Sequence, residues 1–324
     1  MDILINLSVY TVSMTDTAKK LHKRWGKKYE DNRDWPKYNE QLVKRGEYFL
    51  DLEWVKTWDH ELEKMNRNKV GHPFEFPNSL IQLQSMWHIK SIPVRMIEGI
   101  TRRLYYIAGL PDYNDYSTID RRINRLDLKI ELPSGENLVL FGDGSGWQAV
   151  NGGEFLREKY GKKNRVWVQV IILGNPVTKE PVSYEINLIP VSEPESSERQ
   201  LNALKEHGVV PNEFGGDGAF DKVSLWKYCE KNNITPVIKP DKNARTDSGS
   251  HLRNRDVRYR NKNGYDKWAD KKDYGRRWPA TEGIFSAIKR IFGEQLAAKT
   301  DIGLIQEAKA KIWGYTILKR YGEA

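Results

Sequence analysis

Hydrophobic spacing changes character along this chain. Between 78 and 109 the apolar positions fall three and four apart: Leu80, Leu83 and Trp87, then Val94, Ile97, Ile100 and Leu104. That is the repeat of an amphipathic helix. Ile92-Pro93 interrupts it, because proline suits a first helical turn and not an interior. Two helices are therefore predicted, the first capped by Asn78. The second carries Arg95, Arg102 and Arg103 on its other face. A short break before a basic helix has the form of a helix-turn-helix that sets side chains against DNA, and equally that of a plain hairpin with a solvated basic face. Ser117-Thr118 opens a further helix, with either residue as its cap.

From 126 the period becomes two. Leu126, Leu128, Ile130 and Leu132 alternate with Asp127, Lys129 and Glu131, which predicts a half-buried strand. Pro133-Ser134-Gly135 turns the chain, and residues 138–141 form an apolar strand. Residues 166–173 are the strongest strand signal, and Val182, Tyr184, Ile186 and Leu188 alternate after a turn at Gly174-Asn175-Pro176. With no clear helix between them, these three strands suggest an antiparallel meander. Ser197 with Gln200 has the capping-box pattern for a helix through Leu201 and Leu204 that stops at Gly208. A short strand at Val209-Val210, a helix capped by Asp221 and a strand over 234–238 follow. A meander followed by α/β alternation predicts a mixed sheet with helices on its faces. The chain divides into a polar, basic arm (1–34), a helical region (35–125) and an α/β region (126–324).

Charge adds a partner. Lys and Arg number 53 against 44 Asp and Glu, a net +9, with a sequence pI near 9.3. A basic excess favours a polyanion, and nucleic acid more than membrane, since no apolar run approaches the roughly 20 residues that span a bilayer. The excess is densest over 239–277, where 13 basic residues meet six acids and Tyr259, Tyr265, Trp268 and Tyr274 interleave. Basic residues with aromatics fit a surface that tracks a nucleic-acid strand; a solvated loop is the plainer alternative. The single cysteine, Cys229, excludes an intrachain disulfide and a Cys-based zinc site. Met1-Asp2 lacks the basic start of a signal peptide, so a cytoplasmic protein is expected.

Three acids supply candidate chemistry. Asp143 ends the apolar run at 138–141 among glycines, Asp217 lies in Gly215-Gly216-Asp217-Gly218, and Glu282 opens an amphipathic helix. Two neighbouring strand ends can bring two carboxylates within metal-sharing distance. Lys289 follows Glu282 by seven residues, about 20° from alignment at about 100° per residue, so both occupy one face opposite Ile284, Ile288 and Ile291. Hard Mg²⁺ or Mn²⁺ prefers carboxylate oxygen, and an ion pair can drive in-line phosphoryl displacement. Each acid alone has a plain reading as turn, cap or helix-start charge, and Asp221 competes with Asp217 for the second position.

Taken in order, these residues resemble the DDE transposases of bacterial and archaeal insertion sequences. A branch of that family carries Y-x2-R-x3-E-x6-K. Here Tyr274-Gly275-Arg276-Arg277 gives Y-x2-R, and Glu282 to Lys289 gives E-x6-K, with four residues instead of three between Arg277 and Glu282. The runs 138–146 and 216–221 are similar to the first and second Asp motifs. Arg45-Gly46, Pro93-Val94-Arg95 with Glu98-Gly99, and Ser117-Thr118 with Arg121-Arg122 resemble the N-terminal region. The resemblance covers most of 35–320. It implies an RNase H-like catalytic domain, with 126–132 added before its core, behind a helical DNA-binding region. It further implies metal-dependent cleavage at transposon ends and strand transfer, with Asp143, Asp217 and Glu282 on two Mg²⁺ or Mn²⁺ ions. Tyr274, Arg277 and Lys289 would contact the phosphate backbone. The partner would be double-stranded DNA, and the active form a homodimer or larger synaptic complex in a prokaryotic cell. A nuclease of the same fold that cuts without joining, and a non-catalytic DNA-binding protein, are the competing expectations.

Overall fold

A computed structural model describes residues 33–133, 137–150 and 167–324, together with the pairs 23–24 and 27–28. Most of the expected arm (1–34) and the turn at Ser134-Gly135 lie outside the described residues. Within the arm, β1 (Lys23–Arg24) pairs antiparallel with β2 (Lys27–Lys28).

Five helices follow: α1 (Trp35–Glu47), α2 (Trp58–Asn66), α3 (Asn78–Ile89), α4 (Val94–Ala108) and α5 (Tyr116–Ile123). Two expected caps differ. Asn78 is already helical, and its side-chain oxygen accepts from Arg122 at 2.9 Å. The cap of α5 is Asp115, whose carboxylate accepts from the N–H groups of Ser117 and Thr118. Those hydroxyl and backbone donors hold its carboxyl far below the usual range. A buried polar network locks α3, α4 and the lead-in to α5 together. Gln84 donates to Thr101 at 3.1 Å and to Asn114 at 2.5 Å, and Asn114 donates back at 3.0 Å. Fully paired, such a network fixes one relative arrangement of the three helices.

Residues 126–132 are extended but are not a strand. Leu126 and Leu128 are buried, so the alternation reports which side chains face the core. The backbone finds side-chain donors instead of a ladder: Gln306 to the Leu126 carbonyl at 2.8 Å, and Tyr184 to that of Leu128 at 3.4 Å.

The sheet then builds in chain order. β3 (Val139–Ala149), β4 (Trp167–Gly174) and β5 (Pro181–Asn187) form the expected antiparallel meander. α6 (Glu193–Glu206) crosses to β6 (Glu213–Gly216), and α7 (Val223–Lys231) to β7 (Thr235–Ile238). α6 begins earlier than its capping-box pattern suggested, so Ser197 lies inside it, buried. The strand expected at Val209-Val210 forms at 213–216 instead. β3, β6 and β7 run parallel, giving the order β5-β4-β3-β6-β7. This is the expected mixed sheet, with the strand order of an RNase H-like fold.

The basic stretch 239–277 is folded, against the expectation of a loop. It forms α8 (His251–Asn263) and α9 (Tyr265–Lys271). α10 (Arg277–Ala280) and α11 (Glu282–Phe292) come next, then β8 (Gln295–Leu296), which pairs with the far end of β3, and α12 (Asp301–Glu323). One apolar core includes Leu80, Met86 and Ile97 from the helical region, Trp147 and Val170 from the sheet, and Ile288 and Ile312 from α11 and α12. The helical and α/β parts therefore pack as one body. Among the described residues no helix is long and apolar enough to cross a membrane.

Candidate active site

The parallel pairing of β3 with β6 ends at Phe141 opposite Gly215. Asp143 and Asp217 each lie two residues beyond that pair (143−141 and 217−215), and the charge of Asp217 acts on Asp143. Asp143 is not at a strand end as expected. β3 runs on to Ala149, and Asp143 pairs with Ile172 of β4 after β6 has stopped. Side chains alternate along a strand, so Asp143 shares the face of Phe141. That face is covered by Trp268, Tyr274 and Ala280. The α10 to α11 junction lies directly on β4. A Cβ on Gly174 would meet the Ala280 backbone, so only glycine admits this approach. Glu282 is thereby set over the sheet at the first turn of α11, whose buried face is Ile284, Phe285 and Ile288.

Asp143 and Glu282 line one open cleft of about 590 Å³ with Ser145, Ser286, Lys289 and Arg290. Glu282 and Lys289 thus face the same space, as their spacing predicts. Lys289 leans towards Glu294, at 3.9 Å. Arg277 occupies the space between the acids: its guanidinium donates to Glu282 at 2.6 Å and to the Thr281 hydroxyl at 3.4 Å. Burial pushes the Asp143 carboxyl up to about 7; Arg277 opposes the rise, and Glu193 and Asp217 add to it. Glu193, in the first turn of α6, is itself raised by burial and by Asp217. An acid at a helix start reads in sequence as a dipole partner, so nothing there marked Glu193 as a neighbour of the site.

Asp217 and Asp221 have different surroundings. Asp217 accepts from the Ala219 N–H at 2.8 Å. Asp221 is buried and engaged on both oxygens. It accepts from Arg253 at 2.7 Å twice, from Trp226 Nε1 at 2.9 Å and from the Asp241 N–H at 2.8 Å. It does not cap α7, which starts after Lys222. Its partners lie inside the fold, whereas Asp217 adjoins Asp143.

Tyr274 departs from its expected role. It is 3% exposed, and its hydroxyl donates to the Gly216 carbonyl at 3.2 Å. It lies beneath the site, against the backbone that leads into Asp217, rather than on a surface open to DNA. Arg95, Arg102 and Arg103 are exposed on α4 and do not line the cleft. Arg95 stacks on Tyr116 at 4.5 Å.

The donor set is all oxygen, which suits a hard divalent cation. Asp143 is raised first by burial and then by Glu193 and Asp217, a cost to its bare charge that a cation would relieve. Among the described residues, however, no three His, Cys, Asp or Glu side chains come close enough to share one ion. Glu282 faces the others across the cleft, held by Arg277.

Two family models described as Transposase DDE domain match the chain, at residues 43–151 and 134–313. No curated protein sequence matches it. Solved structures with similarity include the Drosophila P element transposase strand transfer complex, at 14% identity and TM-score 0.32, over 59% of this chain and 47% of that one. Another is the piggyBac transposase synaptic complex with hairpin DNA, at 10% identity and TM-score 0.33, over 87% and 75%. The chain thus spans about half the length of the P element transposase. The second family model covers 180 of 324 residues (313−134+1), more than half, and includes Asp143, Asp217 and Glu282. The chain belongs to the DDE transposase family.

Proposed function

We propose that this protein is an insertion-sequence transposase that cuts DNA at transposon ends and transfers the freed 3′ ends into target DNA. The observation that carries the reading is that Asp143 faces Glu282 across one cleft while the charge of Asp217, just beyond the end of β6, acts on Asp143. These three carboxylates would hold Mg²⁺ or Mn²⁺. Two such ions supply activation of the attacking oxygen and stabilisation of the leaving one during in-line displacement. Burial disfavours the bare charge of Asp143 and raises its carboxyl to about 7, a cost that a bound cation would offset. Arg277 and Lys289 face the phosphate path. Tyr274 holds the Gly216 backbone and so fixes the approach of Asp217.

The helical region supports the DNA-binding half of the reading. α3 and α4 join through residues 90–93 in helix-turn-helix form, and α4 exposes Arg95, Met96, Arg102, Arg103 and Tyr106. α8 adds Arg255, Arg258 and Lys262 at i, i+3 and i+7, an exposed cationic stripe that fits a phosphate backbone. Two ends must meet for transposition, so a homodimer or larger synaptic complex on DNA is the expected active form.

Incubation with transposon-end DNA and Mg²⁺ tests the reading. Asp143→Asn and Glu282→Gln should each lower cleavage by on the order of 10³-fold, since each removes several kcal/mol of charge stabilisation. Wild-type rates in either variant would sink it. A pre-cut 3′-hydroxyl end separates this enzyme from a nuclease that cuts without joining, because only a transposase joins that end to a second duplex.

A further inference from the structure

Arg277 occupies the position where the charge balance of the site is decided. Its side chain is 16% exposed against 47% for Glu282, so the acid is the mobile partner and the guanidinium the fixed one. Its Nη2 lies 2.6 Å from Glu282 Oε1, and its plane lies over the Tyr274 ring at 5.8 Å. Its charge also acts on Asp143, and Tyr274, Glu282 and Asp143 together outweigh burial to keep it protonated. Lys289 does not compete for Glu282; it leans to Glu294. The guanidinium thus neutralises the carboxylate that a cation would need.

We infer that Arg277 couples DNA binding to metal binding: a DNA phosphate replaces Glu282 as the partner of Arg277, and the released Glu282 completes the cation site with Asp143 and Asp217. The inference rests on the transposase reading above and adds an order of events to it. The pair is exchangeable because its acid is half-exposed, and a DNA phosphodiester, singly charged like the carboxylate, offers the same fork two oxygens along a densely anionic backbone. Without DNA the acids stay apart and bind metal poorly; with DNA they are freed together. The arrangement keeps the metal site unmade until a substrate backbone lies in the cleft. Arg277 is in this sense a positioning residue for Glu282.

Mn²⁺ binding to the full chain, followed by loss of the free-ion electron paramagnetic resonance signal, tests this with and without a mixed-sequence DNA duplex. Binding to DNA alone is subtracted, and circular dichroism checks the fold of each variant. Wild-type affinity for Mn²⁺ should rise at least about fivefold when DNA is added, the lower end of ordinary coupling between sites. Arg277→Gln should bind Mn²⁺ more tightly than wild type without DNA, and DNA should change that affinity by less than about twofold. Linkage is reciprocal, so Glu282→Gln, which frees Arg277, should bind DNA more tightly than wild type in EDTA. Wild-type Mn²⁺ affinity indifferent to DNA, or an Arg277→Gln variant that binds Mn²⁺ no better than wild type, overturns the coupling while leaving the enzyme reading intact. Absence of Mn²⁺ binding under every condition overturns the metal site and the coupling with it.

Discussion

At position 143 a carboxyl group shares its surroundings with two other acids and one guanidinium, and burial outweighs the guanidinium. The result, a value raised from 3.8 to about 7, has a definite sign. A raised acid favours its protonated form in the folded chain. That contribution is complete below the unfolded value and disappears as pH rises through about 7. Metal-free protein should therefore lose stability from about pH 4 to about pH 7. Asp143→Asn, which keeps the shape without the charge, should melt higher than wild type at about pH 8, by on the order of 2 kcal/mol, with the gap closing towards about pH 4. Added Mg²⁺ should reverse the order, because only the ionised wild-type site gains from binding. Calorimetric scans of both proteins across this range, with and without Mg²⁺, check it; a gap independent of pH would mean that Asp143 is not held protonated. The sequence identified this residue by its glycine-rich strand, but not its proton affinity, which depends first on burial and then on Arg277 and Glu193 arriving from distant segments. Tyr274 was equally legible as a motif member and illegible as a buried one, since a motif records spacing and not which way a ring turns.

Between 239 and 277 the elements explain why a basic segment that folds into two helices has the composition of a solvated loop. Several of its cations are internal fasteners. Arg253 pairs with Asp221 and donates to the Arg245 carbonyl, Arg260 donates to the Pro240 and Lys242 carbonyls, and Lys272 pairs with Asp256 at 2.6 Å. Their partners lie many residues away, so composition alone suggests solvated charge. The elements with strong periodicity were legible: α3, α4, the β3-β4-β5 meander and the apolar face of α11 all rest on local patterns. The alternation at 126–132 misled because it records burial, which a chain held by side-chain donors shares with a strand. The same logic separates Asp217 from Asp221. Asp221→Ala leaves Arg253 buried without its partner and should cost about 3–5 kcal/mol, with α8 loosened from the sheet. Asp217→Ala should change stability by less than about 1 kcal/mol, since its carboxylate accepts an exposed turn bond from the Ala219 N–H. Urea melts of both variants measure the difference; equal costs would contradict the internal assignment of Asp221.

For the molecule as a whole, α12 decides whether the helical region and the sheet are separable. It carries Leu304, Ala308, Ile312 and Leu318 into the core that also holds Leu80, Met86 and Ile97. At Gly314 the approach is close: a Cβ there would stand 2.8 Å from Ile89 Cδ1, 3.1 Å from Phe292 Cζ and 3.2 Å from Met86 Sδ. One glycine thus admits α3 from one side and α11 from the other. The composition shift at 126 suggests two parts, yet packing makes them one, because the last helix returns to the first. Such a core predicts one cooperative transition rather than two. Calorimetric and van't Hoff enthalpies should agree, and tryptophan fluorescence should melt together with the far-ultraviolet signal. Gly314→Val overfills the three-way contact and should cost about 1–3 kcal/mol. If the parts were independent, the variant would broaden the transition into two steps. If they share one core, it lowers a single midpoint. In that case strain at Gly314 reaches α11, and with it Glu282, so the variant should weaken DNA cleavage although position 314 does not line the cleft.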